Sequence, residues 1–431
     1  MTVEEWKKTV IDIASLAEKN GSEPSEARDL LFGLWRVFMA APSVVHAEFE
    51  SISDKVLEVG AETSSTSICQ QISLDFSSFT ELRELTLNAA FLLRALEAIF
   101  LQAEGGRFPR TIDELRVKYG GHEGFLIPFS PRFRVAKEWP TYFQKKGLRA
   151  SRCIPAKLDS GVSVDLQLSD QFVNVDELNC TAQFFNASEP LDSHGAPIDF
   201  SAVDRFVFHG LSDVVDPEIQ SRIEDVCKAE PRCDVLVFPE LTMPPERLRK
   251  LRDVLEKQPW NDNFALKPPV FVLGGSWHHL RPDGKYENRA PLLDGYGRLI
   301  GEHKKTIPYQ VTNLVEDIQS SNSVLVVAST KIVVAIGICL DFCQVGRPSN
   351  FYDDLDVDLI IVPSMGHETT LDAHKVKATQ YWASRKTATF VSQQHGEEDF
   401  GYIASMPFPK DSEFGQRIQG KTASRKFDRK G

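Results

Sequence analysis

Three short segments carry side chains that could act together on an electrophilic carbon. They are Phe238-Pro239-Glu240, Lys304-Lys305-Thr306-Ile307-Pro308-Tyr309 and Gly337-Ile338-Cys339-Leu340-Asp341. A cysteine thiol, with an unperturbed pKa near ~8.5, needs a base or a positive neighbour to act as a nucleophile at neutral pH. A carboxylate can take the thiol proton and return it to a leaving amine, a step worth about 10²–10⁴-fold. A fixed cation and the backbone N–H after the nucleophile can hold an oxyanion; removing one such donor costs about 3–4 kcal/mol in a known hydrolase.

The elements that must position these groups are apolar runs. Val235-Leu236-Val237-Phe238, Arg298-Leu299-Ile300-Gly301 and Ile332-Val333-Val334-Ala335-Ile336 each precede one of the segments and read as buried strands. A carboxylate, an amine and a thiol at strand ends can converge at one edge of a sheet, where α/β folds build sites. Strands are also expected at Phe206 to Phe208, Val270 to Leu273, Val324 to Ala328, Leu359 to Val362 and Thr389 to Ser392. Helices alternate with them at Ile219 to Val226, Pro245 to Leu255 and Leu371 to Lys386, which favours an α/β domain.

These motifs resemble those of the nitrilase superfamily, the carbon–nitrogen hydrolases with a Glu-Lys-Cys triad. The family shows an apolar strand before Phe-Pro-Glu, matched here by Phe238-Pro239-Glu240 and Leu241. Its lysine follows an aromatic or histidine and a basic residue, as Lys305 follows His303-Lys304. Its nucleophile follows a glycine and Ile, as in Gly337-Ile338-Cys339. Flanking segments also resemble the family: Val272 to Ser276, Asn288-Arg289-Ala290, Asp294 to Gly297, Asp358 to Ser364, and Ala383 to Gln394. The likeness covers residues 203–400.

The resemblance implies Cys339 as nucleophile, Glu240 as general acid/base and Lys305 as oxyanion partner. Glu316 would be the second glutamate that positions substrate, and Leu340, Ser364 and His367 would lie against the substrate. Leu340 stands where the family has an aromatic, although the backbone N–H facing the oxyanion does not depend on that side chain. Cys343 takes the place of an arginine. After Gln394 the closing strands are hard to find, and the basic stretch Lys421 to Lys430 reads as a solvated end, which suggests a last layer either abbreviated or rebuilt by a partner. Each motif alone has an ordinary reading: a helix start, a solvated turn, a small buried hydrophobe. Their order and flanks outweigh those readings. Phe351-Tyr352-Asp353-Asp354 resembles a polymerase motif only by chance.

The first part of the chain is different. Residues 1–200 read as a mainly helical region of unreadable role, and 201–431 as the nitrilase-like domain. Trp6, Val10, Ile13 and Ala17 recur at helical spacing up to the stop at Asn20-Gly21. A buried helix is expected from Leu30 to Ala41. Capping boxes are expected at Ser78 to Glu81, opening a helix to Ala103, and at Thr111 to Glu114, opening a short one. Val162, Val164, Leu166 and Leu168 alternate as in a strand, and Ser188 to Asp199 reads as a linker.

The fold class expected is therefore α/β: an α-β-β-α sandwich of nitrilase type after a helical region. The expected function is hydrolysis or acyl transfer at a non-peptide C–N bond of a small amide, carbamoyl compound or nitrile, through a cysteine thioester. The alternative is a sensing module that binds a small metabolite with little turnover, as nitrilase-like domains fused to partners in bacterial defence suggest by analogy. No metal or organic cofactor is needed, and seven unevenly spaced cysteines make neither a disulfide framework nor a zinc site. His278-His279, adjacent on a strand, should point to opposite faces. A net charge of −12 argues against nucleic acid as a partner. No run approaches the ~20 apolar residues that span a bilayer, and the acidic start, Met1-Thr2-Val3-Glu4-Glu5, is unlike a signal peptide. A cytoplasmic protein acting on a small molecule is the expectation, and the resemblance implies a homo-oligomer.

Overall fold

The computed structural model describes residues 1–70, 76–128, 147–169, 177–185, 188–212, 219–228, 233–258, 268–329, 332–343, 351–395, 400–407, 415–418 and 422–428. It is mixed α/β and forms two compact units. One holds Met1–Leu158 and the short later segment Asp354–Asp356, the other most of the chain from Asp159 on.

In the first unit, helices Val3–Asn20, Pro24–Met39, Ser43–Ser51, Asp54–Cys69 and Leu82–Glu104 bury one core. Trp6, Val10, Ile13 and Ala17 form the buried stripe of the first helix, meeting Phe38 edge-on at 5.7 Å. The capping box lies at Thr2 and Glu5, not at Ser78 to Glu81. Ser78 ends a 3₁₀ turn, and the helix Leu82–Glu104 starts after Glu81 without a side-chain cap. Thr111 does accept from the Glu114 N–H at 3.4 Å, but the bond opens only a 3₁₀ turn, Asp113–Leu115. Beyond it Arg116–Tyr119 and His122–Ile127 form a hairpin. Gly120 and Gly121, both at positive φ, make its two-residue turn, a geometry that glycine alone adopts freely.

The second unit is built on two seven-stranded sheets. One runs Gly415–Ile418, Gly401–Met406, Ala388–Gln394, Leu359–Met365, Val333–Ile336, Ser323–Ala328, Ser163–Leu168. The other runs Trp277–Leu280, Tyr286–Asp294, Phe271–Leu273, Val235–Val237, Glu177–Gln183, Thr422–Asp428, with Leu299–Lys304 also paired to Tyr286–Asp294. Leu299–Lys304 packs against Ser323–Ala328 of the first sheet. Helices Ile219–Lys228 and Pro245–Lys257 bury Ile223, Val226, Leu251 and Leu255 on Leu236, Val272 and Leu293 of the second sheet. Helix Glu368–Arg385 buries Leu371, His374, Ala378 and Tyr381, a stripe of helical period, and packs on Ala388–Gln394 and Gly401–Met406 of the first sheet.

Two expectations change. The units part at Leu158/Asp159 rather than 200/201, because Ser163–Leu168 pairs in parallel with Ser323–Ala328, and Glu177–Gln183 with Val235–Val237. The last layer is not abbreviated: Gly401–Met406, Gly415–Ile418 and Thr422–Asp428 all form strands. The basic tail concealed the last of them because its outward positions are polar. Phe427 is buried while Thr422, Ser424 and Lys426 are exposed, and the strand pairs with Glu177–Gln183 in register from Thr422↔Gln183 to Asp428↔Glu177. Residues 421 and 429–431 of the tail lie outside the described residues. Among the described residues no single helix is long and apolar enough to cross a membrane.

Candidate active site

All three chemistry-bearing residues lie in the second unit, just beyond strand ends. Glu240 follows Val235–Val237, Lys305 follows Leu299–Lys304, and Cys339 follows Val333–Ile336. They come from two sheets, not from one sheet edge, because the cysteine strand belongs to the sheet opposite the other two. Each is only about 2% exposed.

Lys305 is the hub. Its Nζ donates to Glu240 Oε1 at 2.7 Å and to Glu316 Oε2 at 2.6 Å. Asn288 Nδ2 bridges the same carboxylates, at 2.9 Å to Glu316 Oε1 and 3.3 Å to Glu240 Oε1. Peptide N–H groups complete them: Met365 donates to Glu240 Oε2 at 3.1 Å and Tyr309 to Glu316 Oε2 at 2.9 Å. His278 Nδ1 accepts from the Phe208 N–H at 2.7 Å, so its Nε2–H donates to Glu316 Oε1 at 2.9 Å. The Cys339 thiol lies 4.0 Å from the carbonyl oxygen of Met365, the residue whose N–H donates to Glu240.

This packing separates the two carboxyls. Burial pushes Glu240 above the ordinary carboxylate range despite the Lys305 ammonium, and the Glu316 charge adds to the rise. Glu316 is as buried, but Lys305 and His278 hold it well below that range. Burial opposes the Lys305 charge too, yet two carboxylates keep it well above an ordinary lysine. Burial and then Glu240 push the Cys339 thiol up, with Lys305 pulling against them. Glu316 and Lys305 thus form a standing ion pair, and Glu240 is the carboxyl able to exchange a proton near the thiol.

The turns that present these groups are strained. Leu241 and Cys339 sit at φ +56° and +46°, a left-handed backbone costing roughly 1–3 kcal/mol in a non-glycine residue. Asp341 holds the Cys339 turn to the lysine loop. Its carboxylate accepts from the N–H groups of Thr306 (2.9 Å), Ile307 (2.8 Å) and Ile338 (3.2 Å), and His303 Nε2 lies 2.9 Å away. Gly337 leaves room for Tyr352, whose hydroxyl donates to the Ile336 carbonyl at 2.7 Å; a Cβ would fall 2.3 Å from that oxygen. Because Tyr352 is 1% exposed it has nowhere to go. Gly337→Ala is expected to cost about 1–3 kcal/mol, read as a lowered Tm and slower alkylation of Cys339. Tyr352, inside the polymerase-like tetrapeptide, is thus structural.

The remaining predicted residues are placed as follows. Glu316 ends the strand Leu314–Glu316 and joins the hub. Leu340 is half-buried and opens the short helix Leu340–Cys343, whose first N–H groups have no partner within the helix. Ser364 is fully buried, with its Oγ 3.0 Å from His374 Nε2 and 3.5 Å from Gln393 Oε1. His367 begins the helix Glu368–Arg385, where its Nδ1 lies 3.1 Å from His395 Nε2 and not against the hub. Cys343 is buried, and burial followed by Glu240 pushes its thiol up to about 12.

His278, Asn288 and Asp341 were in view in the sequence without a role. Strand alternation does put one histidine of His278-His279 on the buried face, 4% exposed. Nothing local to it says that Glu316, 38 residues on, lies opposite.

Several solved structures are similar to this chain. An amidase from Nesterenkonia sp. is 11% identical at TM-score 0.39, over 59% of this chain and 91% of that one. A cysteine-to-alanine mutant of the Nesterenkonia AN1 amidase, described as from the nitrilase superfamily, is 12% identical at TM-score 0.37, over 58% and 90%. A glutamate-to-glutamine mutant of that amidase, with the acetamide moiety of fluoroacetamide added covalently at its active-site cysteine, is 13% identical at TM-score 0.34, over 53% and 82%. No family profile and no curated protein matches the chain.

Proposed function

We propose that the chain is a carbon–nitrogen hydrolase of nitrilase type, acting on a small amide, carbamoyl compound or nitrile. The observation that carries this is the Lys305 ammonium held at 2.7 and 2.6 Å between Glu240 and Glu316, with the Cys339 thiol at Met365, whose N–H donates to Glu240. The fold part of the proposal, an α-β-β-α layering, is supported by helices packed on each sheet and by contact between the sheets.

Glu240 takes the thiol proton as sulfur attacks the substrate carbon. Lys305 and the Leu340 N–H stabilise the oxyanion, and Glu240 returns the proton to the leaving ammonia or amine. Water, deprotonated by Glu240, then cleaves the thioester and frees the thiol. Glu316 keeps Lys305 charged and in place throughout, and a substrate-positioning role for Glu316, Leu340 and His367 belongs to the same reading. A site whose three residues are each about 2% exposed admits only a small substrate. Assembly into homo-oligomers follows from the resemblance, and a reducing, cytoplasmic setting from the unpaired cysteine pattern.

Intact-mass spectrometry of the protein with a panel of amides, carbamoyl compounds and nitriles tests the proposal. An acyl adduct with release of ammonia supports it; neither across the panel would overturn it. The pH profile is a second test. Glu240 must be ionised to accept the proton, so kcat/KM should fall as pH drops through a midpoint above the ordinary carboxylate value of about 4.3. An acid limb at or below that value would contradict the assignment.

A further inference from the structure

We propose that His278 is a positioning residue for Lys305: held in one tautomer by the Phe208 N–H, it pins Glu316 so that the second carboxylate oxygen keeps the ammonium in place. The inference rests on the Glu240–Lys305–Cys339 reading of the site. It adds a histidine to that reading, and the short segment that orients the histidine.

The tautomer follows from a partner that can only donate. A peptide N–H has no lone pair to offer, so the Phe208 N–H at 2.7 Å makes His278 Nδ1 the acceptor. The ring proton then stands on Nε2, 2.9 Å from Glu316 Oε1. The plane of the ring is held as well. Phe208 meets it edge-on at 5.6 Å, and Phe206 lies tilted against it at 6.3 Å. Both phenylalanines are buried. Their segment is fixed to the strand that carries Glu316. Arg205–Phe206 pairs in parallel with Val315 and Glu316, and the Asp317 N–H donates to the Phe206 carbonyl at 2.9 Å. One segment therefore sets the imidazole against the carboxylate that it serves.

The donors to Glu316 are divided by oxygen. Oε1 accepts from His278 Nε2 and Asn288 Nδ2, both at 2.9 Å. These two residues are partners across the antiparallel strands Trp277–Leu280 and Tyr286–Asp294. Oε2 accepts from Lys305 Nζ at 2.6 Å and from the Tyr309 N–H at 2.9 Å. Two donors on each oxygen fix the carboxylate plane, so the ammonium meets an oxygen that does not swing away. Asn288 by itself is a poorer pin, because its amide also reaches Glu240 Oε1 at 3.3 Å. Burial opposes the Glu316 charge, and Lys305 and then His278 more than offset it. His278 acts on Lys305 through Glu316 and is not itself a catalytic group.

The test is the rate of Cys339 alkylation by iodoacetamide at neutral pH, followed by peptide mass, with the Tm of each variant recorded. His278→Asn places an oxygen where Nδ1 stands and keeps the Phe208 bond, but it is too short to reach Glu316. Misplacing a reacting group by about 1 Å can cost about 10²-fold, and a partial shift of the ammonium should slow alkylation by about tenfold. His278→Gln places an amide N–H where Nε2–H stands and should recover most of the rate that His278→Asn loses. In a Glu316→Gln background His278→Asn should add no further slowing, since its effect passes through that carboxylate. A wild-type rate in His278→Asn would overturn the assignment, because the Phe208 bond and the packing would then be all that His278 supplies. Equal slowing in His278→Asn and His278→Gln would overturn it too, as would an undiminished effect in the Glu316→Gln background. A ¹⁵N spectrum of histidine-labelled protein with the His278 proton on Nδ1 would do the same. Alkylation needs no amide substrate, so failure of this assignment is told apart from failure of the hydrolase reading, which the amide panel decides.

Discussion

Cys339→Ala is expected to reduce turnover to background, a loss of about 10⁶-fold if the thiol matters as much as a protease's nucleophilic serine does. The loss should come with little change in Tm. Sulfur is the only atom removed, and the Lys305–Glu240–Glu316 hub does not depend on it. Alanine at φ +46° carries the same backbone strain as cysteine, so the turn gains no new cost. Ammonia release measured beside intact mass checks the result. Wild type should carry an acyl adduct that the variant lacks, and Glu240→Gln should accumulate it, since the thioester then lacks its base. Undiminished turnover in Cys339→Ala would sink the mechanism.

Lys305→Met should be the most destabilising change in the site. It leaves two nearly fully buried carboxylates facing each other without a cation. Removing one partner of a buried ion pair costs about 3–5 kcal/mol, because the remaining charge stays out of water. For a domain of this size that corresponds to a fall in Tm of roughly 6–20 °C. Neutralising the carboxylates as well should reverse most of it. The combined variant Glu240→Gln, Lys305→Met, Glu316→Gln removes all three charges and keeps acceptors for the Met365 and Tyr309 N–H groups. It should regain at least half of the lost Tm and remain inactive. Thermal unfolding followed by circular dichroism decides the matter. An unchanged Tm in Lys305→Met would mean that the ammonium is not held between the carboxylates.

Much of this was legible in the chain itself, and the reason is local. Apolar runs that end in a polar residue announce buried strands, so Glu240, Lys305 and Cys339 could be placed beyond strand ends. The stripe Trp6, Val10, Ile13, Ala17 announced its helix in the same way, because burial on one face imposes a period. Signals that need a partner far along the chain failed. The strand Thr422–Asp428 reads as a solvated tail until Glu177–Gln183 is set beside it. Ser78 to Glu81 has the residues of a capping box, but Ser78 ends a 3₁₀ turn and the helix Leu82–Glu104 starts after Glu81 without a side-chain cap.

The site divides along the same line. Composition and order determined by themselves that a thiol, an amine and a carboxyl stand at strand ends. Only the tertiary structure decided how the surroundings of the two carboxyls set their proton affinities apart. Glu240 and Glu316 are the same residue type, equally buried, and both bonded to Lys305. They differ because burial and the Glu316 charge outweigh Lys305 at Glu240, whereas Lys305 and the donating His278 outweigh burial at Glu316. That contrast raises one pKa and lowers the other, and it depends on residues far apart in the chain. Proton affinity is set by what surrounds a group in three dimensions, which no local pattern records.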